Sequence, residues 1–331
     1  MNLFQQPNQK RHAFIIKDHV IRYIGSKQPD LLQISQIKER YLPVGIVVNG
    51  QIEDMTTFVT ILAECVEEWK LKRQRIQFCL PQQHTIIRTH FIDGTIPDEE
   101  VKGQLYLDLG ESLLLPFDDP IFDFKVIGMR DGQKEVLLFA SRESVLNQYI
   151  DAFSEVHLKP NAADLSTLSA YRLFFENGQV ETGAYVIQVQ IDAMVTTITI
   201  FKDHHPLFLS TILSELDQEG WSLTGEGDVM RLAWTKEEEE MEEAIEECVR
   251  EVEKVMNFYQ FNVLKGEGEM GQMLLCGDHP YLSQFEAAFS DRLMLEIAVL
   301  SEQTKNDAPV RYYDAQGLVL KKEVYRLCSL K

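Results

Sequence analysis

The 331 residues read as a duplicated α/β architecture, and three observations carry that reading. Strand hairpins open the chain, and they open it again near residue 185 after an Asn177-Gly178 turn. Each half then continues into helices alternating with short apolar strands, the pattern of packed α/β layers. At 45% hydrophobic residues, the chain has core enough for two domains of ordinary size. No period of 20 to 50 residues repeats, so the duplication is one of pattern and not of residues.

Taken in order, residues 13–16 and 20–24 are β-branched runs about Lys17-Asp18-His19, a tight hairpin. From Asp54, the apolar Phe58, Val59, Leu62, Val66 and Trp69 share one helical face, and residues 75–80 form a strand stopped by Pro81. Residues 85–92 make another strand. Pro97 then precedes Asp98-Glu99-Glu100, acids suited to a helix N-terminus, and Val101, Leu105, Leu109 and Leu113 carry that helix onward. Residues 122–126 alternate at period two, Arg130-Asp131-Gly132 turns the chain, and residues 135–140 return as the antiparallel partner. Helices over about 142–156 and 164–175 close the first half.

The second half opens with strands at 185–191, 196–201 and 206–212, a meander. A long helix follows, with Met241, Ile245, Cys248, Val252, Val255, Met256 and Tyr259 on one stripe and its glutamates on a solvated face. A strand at 270–275, a turn at 277–280, a helix with Leu282, Phe285, Phe289 and Leu293, and a strand at 295–300 form an α/β crossover. The tail from 318 to 331 reads as a last strand.

Charge and composition exclude several functions. With 32 Lys plus Arg against 52 Asp plus Glu, the net charge of -20 repels nucleic acid and anionic headgroups and favours basic partners. No apolar run approaches the roughly 18 residues of a membrane span, and the N-terminus lacks an apolar signal core, so a cytoplasmic protein is expected. The five cysteines (Cys65, Cys79, Cys248, Cys276, Cys328) form no CxxC pair and predict thiols in or near the core. His204-His205 lacks a third nearby ligand and reads as a turn, so no metal site is expected. No GxSxG spacing marks a nucleophile.

Several stretches in order carry a resemblance. They are residues 42–52 (LPVGIVVNGQI), 78–81 (FCLP), 115–118 (LPFD), 122–124 (FDF) and 137–141 (LLFAS). In the second half they are 189–201 (VQIDAMVTTITIF), 255–259 (VMNFY) and 274–277 (LLCG). Together they resemble the type IV pilus assembly protein PilM family, FtsA-related members of the actin-like ATPase superfamily. The resemblance implies an α/β protein with a two-half actin-like (ribonuclease H-like) fold. The first half would span 1–180, with a small α+β subdomain inserted at about 84–157, and the second half 181–331.

ATP held between such halves needs turns whose backbone N–H groups reach the phosphates, and carboxylates to hold Mg2+. The family's first hairpin has Asp-Ile-Gly, then serines and a Lys; here residues 14–20 read FIIKDHV, without Gly. The second pattern, Asp-Ile-Gly-Ala-x-x-Thr, falls on residues 190–196: Gln190 stands for the metal-side Asp, Asp192 for the phosphate-approach Gly, and Thr196 is kept. The adenosine Gly-Gly is reduced to Gly277-Asp278. At about 4 Å two like charges repel by about 1 kcal/mol in water and by several in a low-dielectric cleft, so Asp192 opposes a nucleotide. The expected site is therefore vestigial: Asp18, Gln190, Asp192, Thr196, Gly277 and Asp278, with no catalytic residue, no metal, and ATP and Mg2+ absent. Asp18, Asp192 and Asp278 read as solvated turn carboxylates rather than as groups converging on a cation.

The expected function is a non-catalytic scaffold of a type IV pilus or DNA-uptake machine. The resemblance implies that it binds the N-terminal tail of a PilN-like inner-membrane protein and, through it, the inner face of the membrane. Other pilus assembly proteins and a homo-oligomer are the further partners it implies; nucleic acid is not expected. The family's groove between the main first half and its insert places candidates at Leu80, Pro81, Leu114, Pro116 and Phe117, of which Leu80 and Phe117 read rather as core. A working ATPase of the family, or a GspL-like cytoplasmic component of type II secretion, are the alternatives.

Overall fold

A computed structural model describes residues 10–225, 230–265, 268–300 and 308–321. In the first half, β1 (Arg11–Lys17), β2 (Val20–Ser26) and β3 (Ile34–Tyr41) form a meander. A minute hairpin, β4 (Val47–Val48) and β5 (Gln51–Ile52), turns at Asn49-Gly50, whose φ angles of 50° and 76° are those of a two-residue turn. Helix α1 (Met55–Glu68) follows, its first turn capped by the Asp54 carboxylate, which accepts from Thr57 N at 3.0 Å. Strand β6 (Arg75–Leu80) then pairs parallel to β1.

The insert comprises β7 (Thr85–Asp93), α2 (Val101–Asp108), β8 (Pro120–Arg130) and β9 (Gln133–Arg142), an antiparallel sheet of order β7-β9-β8 with α2 packed on one face. Asp131 and Gly132, at φ 51° and 80°, make its hairpin turn as the sequence predicts. Helix α2 stops short of the expected Leu113, because Gly110 at φ 83° turns the chain and Leu109 bridges back to Leu113. The chain then returns to the main body as α3 (Glu143–Glu155), β10 (Lys159–Leu165) and α4 (Ser166–Glu176). The α+β unit thus ends at 142 and not near 157: Val145, Leu146, Tyr149 and Phe153 of α3 are core with Phe14, Phe58 and Phe78.

The second half has β11 (Tyr185–Ile191), β12 (Val195–Lys202), β13 (His205–Leu213), a small pair β14 (Trp221–Thr224) and β15 (Arg231–Trp234), and the long α5 (Glu238–Phe258). It continues with β16 (Met270–Cys276), α6 (Leu282–Arg292), β17 (Glu296–Val299) and α7 (Tyr313–Val319). Its sheet runs β13-β12-β11-β16-β17, and the first runs β3-β2-β1-β6-β10. In both, the successive pairings are antiparallel, antiparallel, parallel, parallel. The duplication read from the sequence is thus present strand for strand.

Each sheet is covered on both faces, which is why its inner strands are near-continuously apolar. Helices α1 and α3 cover one face of the first sheet, and α7 covers the other. Helices α5 and α6 cover one face of the second, and α4 the other. Helices α4 and α7 lie against each other: a Cβ on Gly317 would stand 1.8 Å from the Ser169 carbonyl oxygen. Residues 313–319 therefore pack on the first half, although the sequence places them in the second. Leu318 and Val319 are helical and not strand, and 322–331, with Cys328, lie outside the described residues. No helix among the described residues is long and apolar enough to cross a membrane.

Candidate functional site between the two halves

Three chain turns meet between the halves: 17–19 after β1, 192–194 after β11, and 277–279 after β16. At their centre is Lys17. Its Nζ lies 2.9 Å from Asp192 Oδ1, 3.1 Å from Asp278 Oδ2 and 3.1 Å from Asp314 Oδ2. Arg22 is 2% exposed in the middle of β2 and forms a second ion pair with Asp278 through its Nη1. Its Nε donates to Glu39 at 3.3 Å, and Arg311 pairs with the same carboxylate at 2.9 Å. Tyr313 Oη donates to Asp192 Oδ1 at 2.9 Å, and Gln190 Nε2 donates to Asp192 Oδ2 at 2.9 Å. The Asp278 backbone N–H adds a bond of 3.1 Å to Asp192 Oδ1.

Taken alone, the inner contacts set three carboxylates against two cations. Burial therefore dominates the Asp192 carboxyl. It pushes the group up to about 6, against the pull of Lys17 and with the push of Asp278 and Asp314. Asp278 goes the other way: burial opposes ionisation there too, but Lys17 and Arg22 together hold it well below the usual carboxylate range. For Lys17 and Arg22 burial is outweighed by the facing aspartates, and both stay more firmly charged than in water.

Asp192 and Asp278 are thus not the solvated turn carboxylates that the sequence suggests. They are 5% and 0% exposed in their side chains, and they converge on the chain's own ammonium group, which with Arg22 compensates their burial. Asp18 is buried as well but stands apart, its two oxygens accepting from Asn49 N at 2.7 Å and Gly50 N at 2.9 Å. It caps the β4–β5 turn. Thr196 Oγ contacts Cys248 Sγ at 3.4 Å on α5, away from Lys17. Gly277 makes a close backbone approach, its Cβ position 1.8 Å from the Ile191 carbonyl oxygen. His204 Nδ1 lies 2.9 Å from Tyr171 Oη in a turn.

The space left beside Lys17, between Asp18, Gly50, Pro81, Gln82, Gln190 and Asp192, measures about 50 Å³. That admits a water or two, against the roughly 300 Å³ and more of small-molecule pockets. A larger groove of about 1120 Å³ opens on the other side of the 192–194 turn, between β13 and α5. Glu215, Asp217, Glu243, Glu247 and Glu251 line it with Thr196 and His279, so it is hostile to an anion.

The partner candidates sit in different surroundings. Leu80 packs between the first-half core and the insert, and Pro81 is buried against Gly50. Leu114 is 62% exposed and Pro116 is exposed, both beyond α2, whereas Phe117 is half-buried in the insert core under Arg142. Tyr106 and Leu107 of α2 are also exposed.

Sequence reasoning missed Lys17, Arg22, Tyr313 and Asp314. Arg22 carried a usable signal: an arginine inside the apolar run 20–24 of a buried strand requires a carboxylate partner. Asp314 carried none, since its partner lies almost 300 positions away.

A family model described as type IV pilus assembly protein PilM matches residues 16–212. Among solved structures, the PilM–PilN type IV pilus biogenesis complex aligns with a TM-score of 0.72 at 14% identity, covering 95% of this chain and 98% of that one. The cytoplasmic domain of EpsL, an inner-membrane component of the type II secretion system of Vibrio cholerae, aligns with a TM-score of 0.50 at 8% identity, covering 96% and 97%. At these identities the likeness is one of fold, and the fold is the two-half actin-like one. No curated protein matches the chain significantly.

Proposed function

The chain belongs to the type IV pilus assembly protein PilM family, and we propose that it serves there as a non-catalytic cytoplasmic scaffold binding the N-terminal tail of a PilN-like inner-membrane protein. The observation that carries the non-catalytic part is the Lys17 ammonium held by Asp192, Asp278 and Asp314 where the hairpin turns meet. A phosphate chain with its metal would have to displace an internal cation and then sit against three carboxylates, losing on both counts. Phosphoryl transfer needs the reverse, a fixed positive cradle and a metal aligned on the leaving oxygens.

The partner reading is supported by family membership and by the likeness to a PilM–PilN complex. The surface offered is the outer face of the insert, where Tyr106, Leu107, Leu114 and Pro116 are exposed. An extended apolar tail followed by basic residues suits that face and the net charge of -20. Through such a partner the protein would sit at the inner face of the membrane. A working ATPase would have to use the 1120 Å³ groove, whose glutamates oppose it.

Calorimetric titration of the intact chain tests both parts. The tail of a PilN-like protein should bind in the micromolar range and lose about tenfold with Leu114→Asp, while Mg-ATP gives no heat at the same concentrations. Absence of tail binding at high micromolar concentration sinks the scaffold reading; micromolar Mg-ATP binding sinks the non-catalytic one.

A further inference from the structure

We propose that Asp192, Asp278 and Asp314 form a built ammonium site at the junction of the halves, and that Lys17 is its resident ligand, setting the orientation of the halves in place of a bound nucleotide. The three carboxylate oxygens stand at 2.9, 3.1 and 3.1 Å from one nitrogen, and they come from three separate segments of the chain. Asp192 follows β11 and Asp278 follows β16, both in the second half; Asp314 is on α7 and Lys17 ends β1. No two of these segments are neighbours in sequence, so the nitrogen is the common point that joins them.

The site is ammonium-shaped rather than merely acidic. Tyr313 lies beneath the cation, its ring centroid 4.9 Å from Nζ, and an aromatic face favours an alkylammonium group. The Asp314 and Asp278 side chains are 0% exposed, so without Lys17 they would keep Arg22, His19 Nε2 at 3.6 Å from Asp278, and the N–H groups of Ala315 and Ala193. Gln82 reinforces the closed arrangement nearby: its Nε2 donates to Thr197 Oγ1 at 3.2 Å in the second half, and its Oε1 accepts from Thr167 N at 3.2 Å. Lys17 is thus a positioning residue.

The inference rests on the reading of a scaffold that does without nucleotide, and the experiment separates the two. In Lys17→Ala the missing part of the side chain is a propylammonium ion. The variant should melt about 5–10 °C below wild type and be cleaved faster by trypsin near the junction, since an uncompensated buried charge is strongly destabilising. Propylammonium at tens of millimolar should restore a large part of both losses, while propanol and sodium chloride at equal concentration should not. Rescue by Mg2+ in preference to propylammonium would make this a metal site and overturn the proposal, as would a variant that melts like wild type. If the variant does not fold, the wild-type protein decides: reductive methylation should leave Lys17 unmodified while the exposed Lys70 and Lys159 react. Equal reactivity overturns the proposal. Wild type that binds Mg-ATP defeats the non-catalytic reading, whereas wild type that ignores ATP beside an indifferent Lys17→Ala defeats only this inference.

Discussion

The two hairpin turns that face each other across the molecule occupy equivalent places in equivalent sheets, yet they carry opposite charges. At the end of β1 the chain offers Lys17; after β11 it offers Asp192, and the two meet at 2.9 Å. In a nucleotide-gripping pair both turns would present N–H groups to the same anion, so both would favour glycine and neither a carboxylate. Here the turns have become ligands for each other. On the reading proposed above, the comparison teaches why the cleft would need no third party: Lys17 and Asp192 compensate each other's charge within the chain.

The largest break in this arrangement is removal of Asp278, the anion that pairs with both Lys17 and Arg22. Asp278→Ala leaves Arg22 and Lys17 without a principal partner inside the protein, and breaking a buried pair from one side costs about 3–5 kcal/mol. Urea denaturation of the variant should show a loss of that order. A loss below about 1 kcal/mol would mean that the turns are not coupled through this group.

The two aspartates should also be separable by pH. Asp192, pushed up to about 6 by burial against the pull of Lys17, binds a proton in the folded state that the unfolded chain has already released. Its contribution to stability is therefore complete below about pH 4 and lost as pH rises through 6. Asp278, held low by Lys17 and Arg22, contributes with the opposite sign: fully present above the ordinary carboxylate range and lost as pH falls. Between pH 4.5 and 6.5, wild type should lose on the order of 2 kcal/mol relative to Asp192→Asn, read from urea midpoints. Parallel curves would show that Asp192 does not take up the proton.

How much of this was legible follows from distance along the chain. The hairpins at 13–24 and 185–201 were readable because β-branched runs flank a short polar turn, and periodicity is a local signal. Strand β3, with Ser35, Gln36, Lys38, Glu39 and Arg40, was not readable: an edge strand carries polar side chains that erase the pattern. Strand β10 hid behind Pro160 and Asn161 for the same reason. Of the site, the resemblance put Asp192 at the position of the family's phosphate-approach Gly. It could not show that Lys17 answers it, since pairing across 175 positions leaves no trace in either segment. The return of α7 to the first half was equally invisible, because it is decided by packing against α4.

A third test concerns the strand ends that shape the cleft. In the second half Gly277, at φ 154°, approaches Ile191 so closely that a Cβ would meet the carbonyl oxygen at 1.8 Å. At the matching end of β6 the first half has Pro81, and the glycine sits opposite it, as Gly50. Gly277→Ala must push β16 away from β11 and carry Asp278 with it, for about 1–3 kcal/mol in overpacking. The thermal midpoint should fall accordingly, and the variant should gain nothing from a further Asp192→Asn change if the two lesions act through the same contact.

The smallest effect is expected at Asp18, and it sharpens the comparison most. Asp18 is adjacent to Lys17 in sequence and buried, but its carboxylate is spent on the N–H groups of Asn49 and Gly50 at 2.7 and 2.9 Å. Asp18→Asn keeps one acceptor and turns an amide NH2 toward the other N–H, so the cost should be about 1 kcal/mol, that of one hydrogen bond. Hydrogen exchange at Asn49 and Gly50 should quicken, while that of Asp192 and Asp278 stays unchanged. A loss as large as that of Asp278→Ala would place Asp18 in the ammonium site and make the first turn, like the second, a source of negative charge.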